Sequence, residues 1–192
     1  MRQFIKFVIY MSLGIALGLG SAWYVLDNGL SIDAVDVGAW TVRTEAGQPI
    51  ADPYTSAYVA RIGHIPLKIE EAISFFANAD DEGRELDGAC TYALTGSNLR
   101  SAWWSISAHT PDGELIPSPA RRYSYTQAAM LFDEDQIYRL TVSPEAQPGN
   151  WLPTSGTGPI FLVLRLHGPA PDHIRAPETV PVPAIEREGC RS

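Results

Sequence analysis

Apolar residues fall along this chain in three patterns. From Phe4 to Leu26 they are almost continuous, interrupted by Lys6, Ser12, Ser21 and three glycines. From Trp40 to Tyr138 they come in short runs, many of them alternating, separated by turn-forming residues. From Ile160 to Leu166 they occupy every position but Arg165. Seven residues is strand length, and β-branched and aromatic residues sit inside that last run. A run apolar on both faces wants cover on both sides, so it predicts a central strand. The residues before it, from Asn150 through Pro153, Gly156, Gly158 and Pro159, predict an irregular loop.

The middle of the chain supplies partners for that strand. Ala39 to Arg43 predicts a short strand, ended by the turn Glu45-Ala-Gly-Gln-Pro49. Asp52 as N-cap, Pro53 at the first helical position and Gly63 as a stop predict one helix, with Tyr54, Ala57, Tyr58 and Arg61 on one face. Residues 72–79 fit either period, but the turn Asp80-Asp-Glu-Gly83 follows directly and favours a strand in a hairpin. Cys90 to Thr95 alternates, and so does Trp103 to Ala108, which puts Trp103 and Ser105 on one face, Trp104 and Ile106 on the other. Thr110-Pro-Asp-Gly113 closes the next hairpin, and Arg122 to Tyr125 and Gln136 to Val142 predict two further strands. Short strands at this spacing mean a mainly β protein, an antiparallel β-sandwich of jelly-roll type with one short helix.

The two ends differ from this middle. Phe7 to Leu26 carries no charge over 20 residues, enough for a helix to cross a bilayer core. Arg2 and Lys6 precede it and Asp27, Asp33 and Asp36 follow, so the basic end stays inside and residues 27 onward face out. Trp23 and Tyr24 suit the outer interface. The competing reading is a cleavable signal with Gly20-Ser21-Ala22 as its small-residue site, but the apolar span exceeds the usual signal core of about 7–15 residues. A retained anchor is therefore expected, with the soluble part exported in either case. At the other end, five prolines in the 24 residues from Pro169 predict an extended arm lying on the domain, with neither helix nor inner strand. The expected organisation is an anchor over 1–26, a connector over 27–38, a sandwich over 39–168 and the arm over 169–192.

Charge and cysteines narrow the function classes. The 192 residues carry a formal charge of -8; without Arg2 and Lys6 there remain 12 basic against 22 acidic residues, a balance of -10 beyond residue 26. Such a surface repels phosphate backbones, which argues against a nucleic-acid partner. Cys90 and Cys190 are too few for a zinc framework. In an oxidising compartment they are expected to pair and pin the tail across the sandwich, the alternative being a buried thiol at Cys90 and a frayed end at Cys190.

Several of these stretches carry a family likeness. Asp52-Pro-Tyr54, Asp81-Glu-Gly-Arg-Glu-Leu-Asp87, Trp103-Trp-Ser105, Asn150-Trp-Leu-Pro153 and Leu164-Arg-Leu166 resemble the domain of unknown function 1214 over about residues 38–170, in the short, singly anchored version of bacterial envelopes. The last motif usually ends in an aromatic residue; here it ends in His167. The resemblance implies an antiparallel sandwich, and an inner-membrane protein held through residues 4–26 with its domain in the periplasm. In longer relatives this domain follows a second, of unknown function 1254. This chain has no room for that domain, so a separate envelope protein carrying it is an expected partner. The family brings no established reaction.

Candidate chemistry is sparse. His64, His109, His167 and His173 form no HxH or HExxH pair, so neither a metal nor another cofactor is expected. No G-x-S-x-G elbow is present, and Ser105 or Ser107 near His109 matches ordinary sheet surface. Asp80, Asp81 and Asp87, or Asp133, Glu134 and Asp135, have the chemistry of glycosidase or calcium carboxylates, but their clustering marks hairpin turns. The aromatics are the stronger signal for a site. Of the adjacent pair at 103 and 104 one ring points inward and the other outward, and Trp104 is taken for the site. Trp151, in a Pro/Gly loop, plugs one end of the sandwich with Asn150 bonding loop backbone, Arg121 and Arg122 are placed to grip a carboxylate bidentately, and His167 ends the last motif. The expected binding residues are Trp104, Trp151, Asn150, Arg122 and His167. The expected function is a binding or interaction module of the cell envelope for a protein or glycan, the alternative a hydrolase of envelope carbohydrate or lipid.

Overall fold

The computed structural model describes residues 2–27, 34–44, 47–48, 53, 56–57, 60, 67–118, 120–154 and 156–191. A long helix α1 (Arg2–Asp27) is followed by β1 (Ala34–Val37), β2 (Trp40–Arg43), β3 (Ala72–Ala77), β4 (Cys90–Ser97) and β5 (Ser101–His109). Then come β6 (Ser124–Thr126), β7 (Ile137–Ser143), β8 (Asn150–Pro153), β9 (Phe161–Pro169), a one-turn helix α2 (Pro171–Arg175) and β10 (Ala184–Cys190). The strands form a six-stranded sheet in the order β1-β2-β3-β9-β5-β6 and a four-stranded sheet in the order β10-β4-β7-β8.

The apolar run at the end of the domain is the central strand its pattern predicts. β9 pairs antiparallel with β3 on one side and with β5 on the other. Leu162, Leu164 and Leu166 point into a core shared by both sheets, beside Phe75, Trp104 and Ile106 of the same sheet and Tyr92, Leu94, Leu140, Val142, Leu152 and Ile185 of the other. Each fully buried leucine contributes about 2 kcal/mol. The opposite face of β9 is covered only in part: Val163 is 2% exposed, whereas Phe161, Arg165 and His167 are half-buried.

Three parts of the pattern resolved differently. Within the expected connector, β1 pairs with β2, its Asp36 accepting a hydrogen bond from Thr41 Oγ1 at 2.7 Å. Within the expected loop, Asn150–Pro153 forms β8, parallel to β7, so the sandwich is not wholly antiparallel. The loop 144–149 carries the chain back beside β7, and Pro153 is tolerated because β8 is an edge strand. The expected arm is partly built into the domain: β10 is the edge strand that pairs with β4. Its prolines, Pro181 and Pro183, precede the strand, and Pro171 occupies the start of α2, where its missing N–H costs nothing. The helix expected from Asp52 to Gly63 lies mostly outside the described residues; Pro53, Ser56, Ala57 and Ala60 are described and helical.

Cys90 and Cys190 face each other across β4 and β10 and form the disulfide, closing a separation of 100 residues. A second tie holds the same strand. Asp80 is 2% exposed. Its Oδ1 accepts the N–H groups of Glu82 and Arg84, and its Oδ2 meets Arg84 Nε at 2.9 Å and Arg187 Nε at 3.1 Å. Burial pushes the Asp80 carboxyl up, but the bonds from Arg84 and the charges of Arg84 and Arg187 together outweigh it, leaving it below the usual range. Asp81 Oδ2 accepts the N–H of Ile185 at 2.7 Å. The hairpin after β3 therefore holds the C-terminal strand in place.

Candidate functional site

The outward face of the six-stranded sheet gathers polar and aromatic side chains in cross-strand rows. Side chains alternate along a strand, so every second residue of β3, β9 and β5 belongs to this face. The pairing sets Ser74, Arg165 and Ser105 side by side in one row. The next row holds His167 opposite Trp103, and in the other direction Phe76, Val163 and Ser107 align, then Phe161 and His109.

Arg165 stands near the centre. Its Nε donates to Ser74 Oγ at 3.1 Å, and no carboxylate among the described residues pairs with it. Burial lowers its affinity for the proton, although a guanidinium remains charged. The His167 ring lies 4.9 Å from that of Trp103, tilted by 46°. Burial, and then the Arg165 charge, hold His167 below the usual histidine range, so it is neutral at pH 7. Trp103 remains 39% exposed.

Two rows away, Ser107 Oγ lies 2.9 Å from His109 Nε2, and His109 Nδ1 lies 3.1 Å from the carbonyl of Gly113. A carbonyl only accepts, so Nδ1 carries the proton and Nε2 accepts from the Ser107 hydroxyl. The imidazole stacks on Phe161 at 5.2 Å.

The residues expected to bind do not form one site. Trp104 is 0% exposed; it packs at 5.3 Å from Tyr138 and donates Nε1–H to Asn98 Oδ1, so it offers a ligand no surface. Trp103 is the outward ring of the pair. Asn150 is buried and clamps a loop, accepting from Leu131 N and donating to the carbonyls of Leu131 and Arg139. Arg122 and Trp151 do come together: Arg122 Nη1 donates to the Trp151 carbonyl at 3.0 Å, and its guanidinium lies 5.9 Å from the Trp151 ring and 5.4 Å from that of Tyr125. They belong to β8 and the approach to β6, whereas His167 is on β9. Only His167 of the expected set lies on the outward face, joined by Arg165, Trp103, Ser74 and Ser105. One signal for Arg165 was present in the sequence, since it is the single polar residue in an otherwise apolar run.

The acidic clusters serve turns. Asp87 Oδ1 accepts from Ala89 N, and Asp133 Oδ1 from Asp135 N and Ile137 N. Among the described residues no three His, Cys, Asp or Glu side chains gather where they could hold a metal ion. A shallow depression of about 470 Å³ lies between Leu131–Asp133, Ile137, Thr141 and Gln147–Asn150; Asp133 is its one acid and it contains no histidine. His64 lies outside the described residues, and His173 is buried.

Fold and face define a two-sheet β-sandwich preceded by a helix long and apolar enough to cross a membrane. The chain belongs to the family described as protein of unknown function DUF1214, which matches residues 71–171, just over half its length. Among solved structures it is similar to the VPA0106 protein of Vibrio parahaemolyticus, with 21% identity and a TM-score of 0.62 over 92% of this chain and 44% of that one. It thus spans less than half of the Vibrio protein, and the likeness is one of fold. An uncharacterised protein of Burkholderia cenocepacia aligns with 16% identity and a TM-score of 0.44 over 91% of this chain and 51% of that one. No curated protein matches.

Proposed function

We propose that this protein is a membrane-anchored binding module of the bacterial envelope that receives a partner, protein or glycan, on the outward face of its six-stranded sheet. The observation that carries the proposal is Arg165, a half-buried guanidinium with one hydroxyl partner and no carboxylate among the described residues, set beside the open ring of Trp103. A desolvated cation without a counter-ion is costly by itself, and a ligand that supplies the counter-charge recovers that cost. The surrounding features support a location outside the cytoplasm. Helix α1 has a mean hydropathy of 1.7 over its apolar span, none of that window is buried inside the protein, and the basic residues Arg2 and Lys6 lie at its N-terminal end. The disulfide suits an oxidising compartment, here the periplasm with the anchor in the inner membrane. More than half of the Vibrio protein lies beyond its match to this chain, which supports a separate partner carrying the companion domain of unknown function 1254.

The test is a photo-crosslinking residue placed at position 103 of the full chain in living cells, with position 141 on the other sheet as control. The expected result is one envelope component captured from 103 and not from 141. Equal capture from both positions, or none from 103, would end the proposal. A captured protein bearing the companion domain would establish the split pair.

A hydrolase is the second reading, and the Ser107–His109 pair favours it. Ser107 Oγ would add to an ester carbonyl while its proton passes to His109 Nε2, which returns it to the leaving alcohol; water would then release the acyl group. Labelling by a fluorophosphonate that disappears in Ser107→Ala supports this reading, and unlabelled wild-type protein rejects it.

A further inference from the structure

We infer that the row around Arg165 is a site for an acidic sugar, its carboxylate held by Arg165 and its ring laid against Trp103. This deepens the binding-face proposal and rests on it. Arg165 commits Nε to Ser74, and its two Nη nitrogens have no partner among the described residues, yet they are not sealed from solvent. The Ser105 hydroxyl directly opposite Arg165 and the His167 ring one row on are in the same position: half-buried, without a hydrogen-bond partner among the described residues and not sealed. Three adjacent side chains thus present two guanidinium N–H edges, a hydroxyl and an imidazole toward the same strip of surface.

The chemistry of those groups selects the ligand. A planar guanidinium fork matches a carboxylate with two parallel bonds. One cation beside a neutral histidine balances a single negative charge and leaves a dianionic phosphate half-compensated. The hydroxyl of Ser105 and the neutral ring of His167 both donate and accept, as the hydroxyls of a sugar do. Trp103 is the diagonal neighbour of Arg165, at about 7 Å between Cβ atoms, roughly the reach from a carboxylate across its own sugar ring. The topology disfavours a peptide. Strand addition needs an open sheet edge, and β9 is paired on two sides while β5 is paired with β9 along its length and with β6 over Ser105–Ser107. The excess of negative charge over the soluble chain repels anions at long range, so an acid must be captured by local contacts.

The experiment is calorimetric titration of the full chain in detergent with digalacturonate, its neutral counterpart galactobiose, acetate, inorganic phosphate and a Glu-rich peptide. Digalacturonate is expected to bind at least about tenfold more tightly than galactobiose, the worth of one charge-assisted bond. Arg165→Gln should abolish that preference, and Arg165→Lys should weaken binding by about tenfold because the fork is lost. Trp103→Ala should weaken both sugars alike and leave their ratio intact. Should Arg165→Gln fail to fold, as judged by circular dichroism, Ser105→Ala decides, with several-fold weaker digalacturonate binding expected. Equal affinity for acidic and neutral sugar, or an unchanged preference in the variants, overturns the assignment. So does phosphate or the peptide binding as tightly as the sugar. If digalacturonate fails while position 103 still captures a protein in cells, the acidic-sugar site falls and the binding face stands. If both fail, both fall.

Discussion

Adjacent tryptophans on one strand have opposite fates here. Trp104 fills the core against Tyr138, and Trp103 lies on the surface against His167. Trp104→Ala is therefore expected to cost about 3–5 kcal/mol, read from urea unfolding. Trp103→Ala should shift the same midpoint by less than about 1 kcal/mol while weakening whatever binds the outward face. Asp80 makes the other residue-scale prediction. Its carboxylate accepts three hydrogen bonds from its own turn and forms an ion pair with Arg187, so Asp80→Asn should lose roughly 2–3 kcal/mol. The sign of its pH dependence follows from a folded value below the unfolded 3.8. Its contribution is complete above about pH 3.8 and disappears as pH falls through the folded value, because the unfolded chain takes up the proton first. Unfolding followed between pH 5 and 2 should show that loss in the wild type and a flatter profile in Asp80→Asn.

At the scale of elements, the C-terminal strand depends on ties to distant parts of the chain. β10 has one strand neighbour, β4, and is held besides by the disulfide, by Asp81 and by Arg187 on Asp80. Opening a closed loop of 100 residues removes up to about 4–5 kcal/mol in the chain-entropy account. Reduction, or Cys90→Ala with Cys190→Ala, should lower the denaturant midpoint and raise hydrogen exchange in β10 and β4 before β9. Unchanged exchange in β10 would show that Asp80 and Asp81 suffice to hold it. The pattern of residues made β3, β4, β5, β7 and β9 legible, since each has alternation or a continuous apolar run of strand length. It did not reveal β1, β8 or β10. β1 and β10 bury little and β8 is a four-residue strand ending in a proline, so their sequences resemble loops; only a partner already in place makes them strands.

For the whole molecule, the prediction concerns α1. If it is retained, the full chain should stay in the membrane pellet through alkaline carbonate extraction, with intact mass including residues 1–22. A mature protein beginning after Ala22 and released to the soluble fraction would support cleavage at Gly20-Ser21-Ala22. The sequence by itself determined what depends on local pattern and composition: a mainly β domain, a central strand at Ile160 to Leu166, an apolar N-terminal helix, turns at the acidic clusters and the family. These follow from residue spacing, which acts over one strand or one helix. Tertiary structure alone decided which tryptophan faces outward, that Arg122 meets Trp151 while His167 stays apart, and that Arg165 lies between Ser74 and Ser105. Those neighbours come from strands as much as 91 residues apart in sequence, the separation of Arg165 from Ser74. Register between strands, set by packing of the shared core, is what brings them together, and no local pattern encodes it.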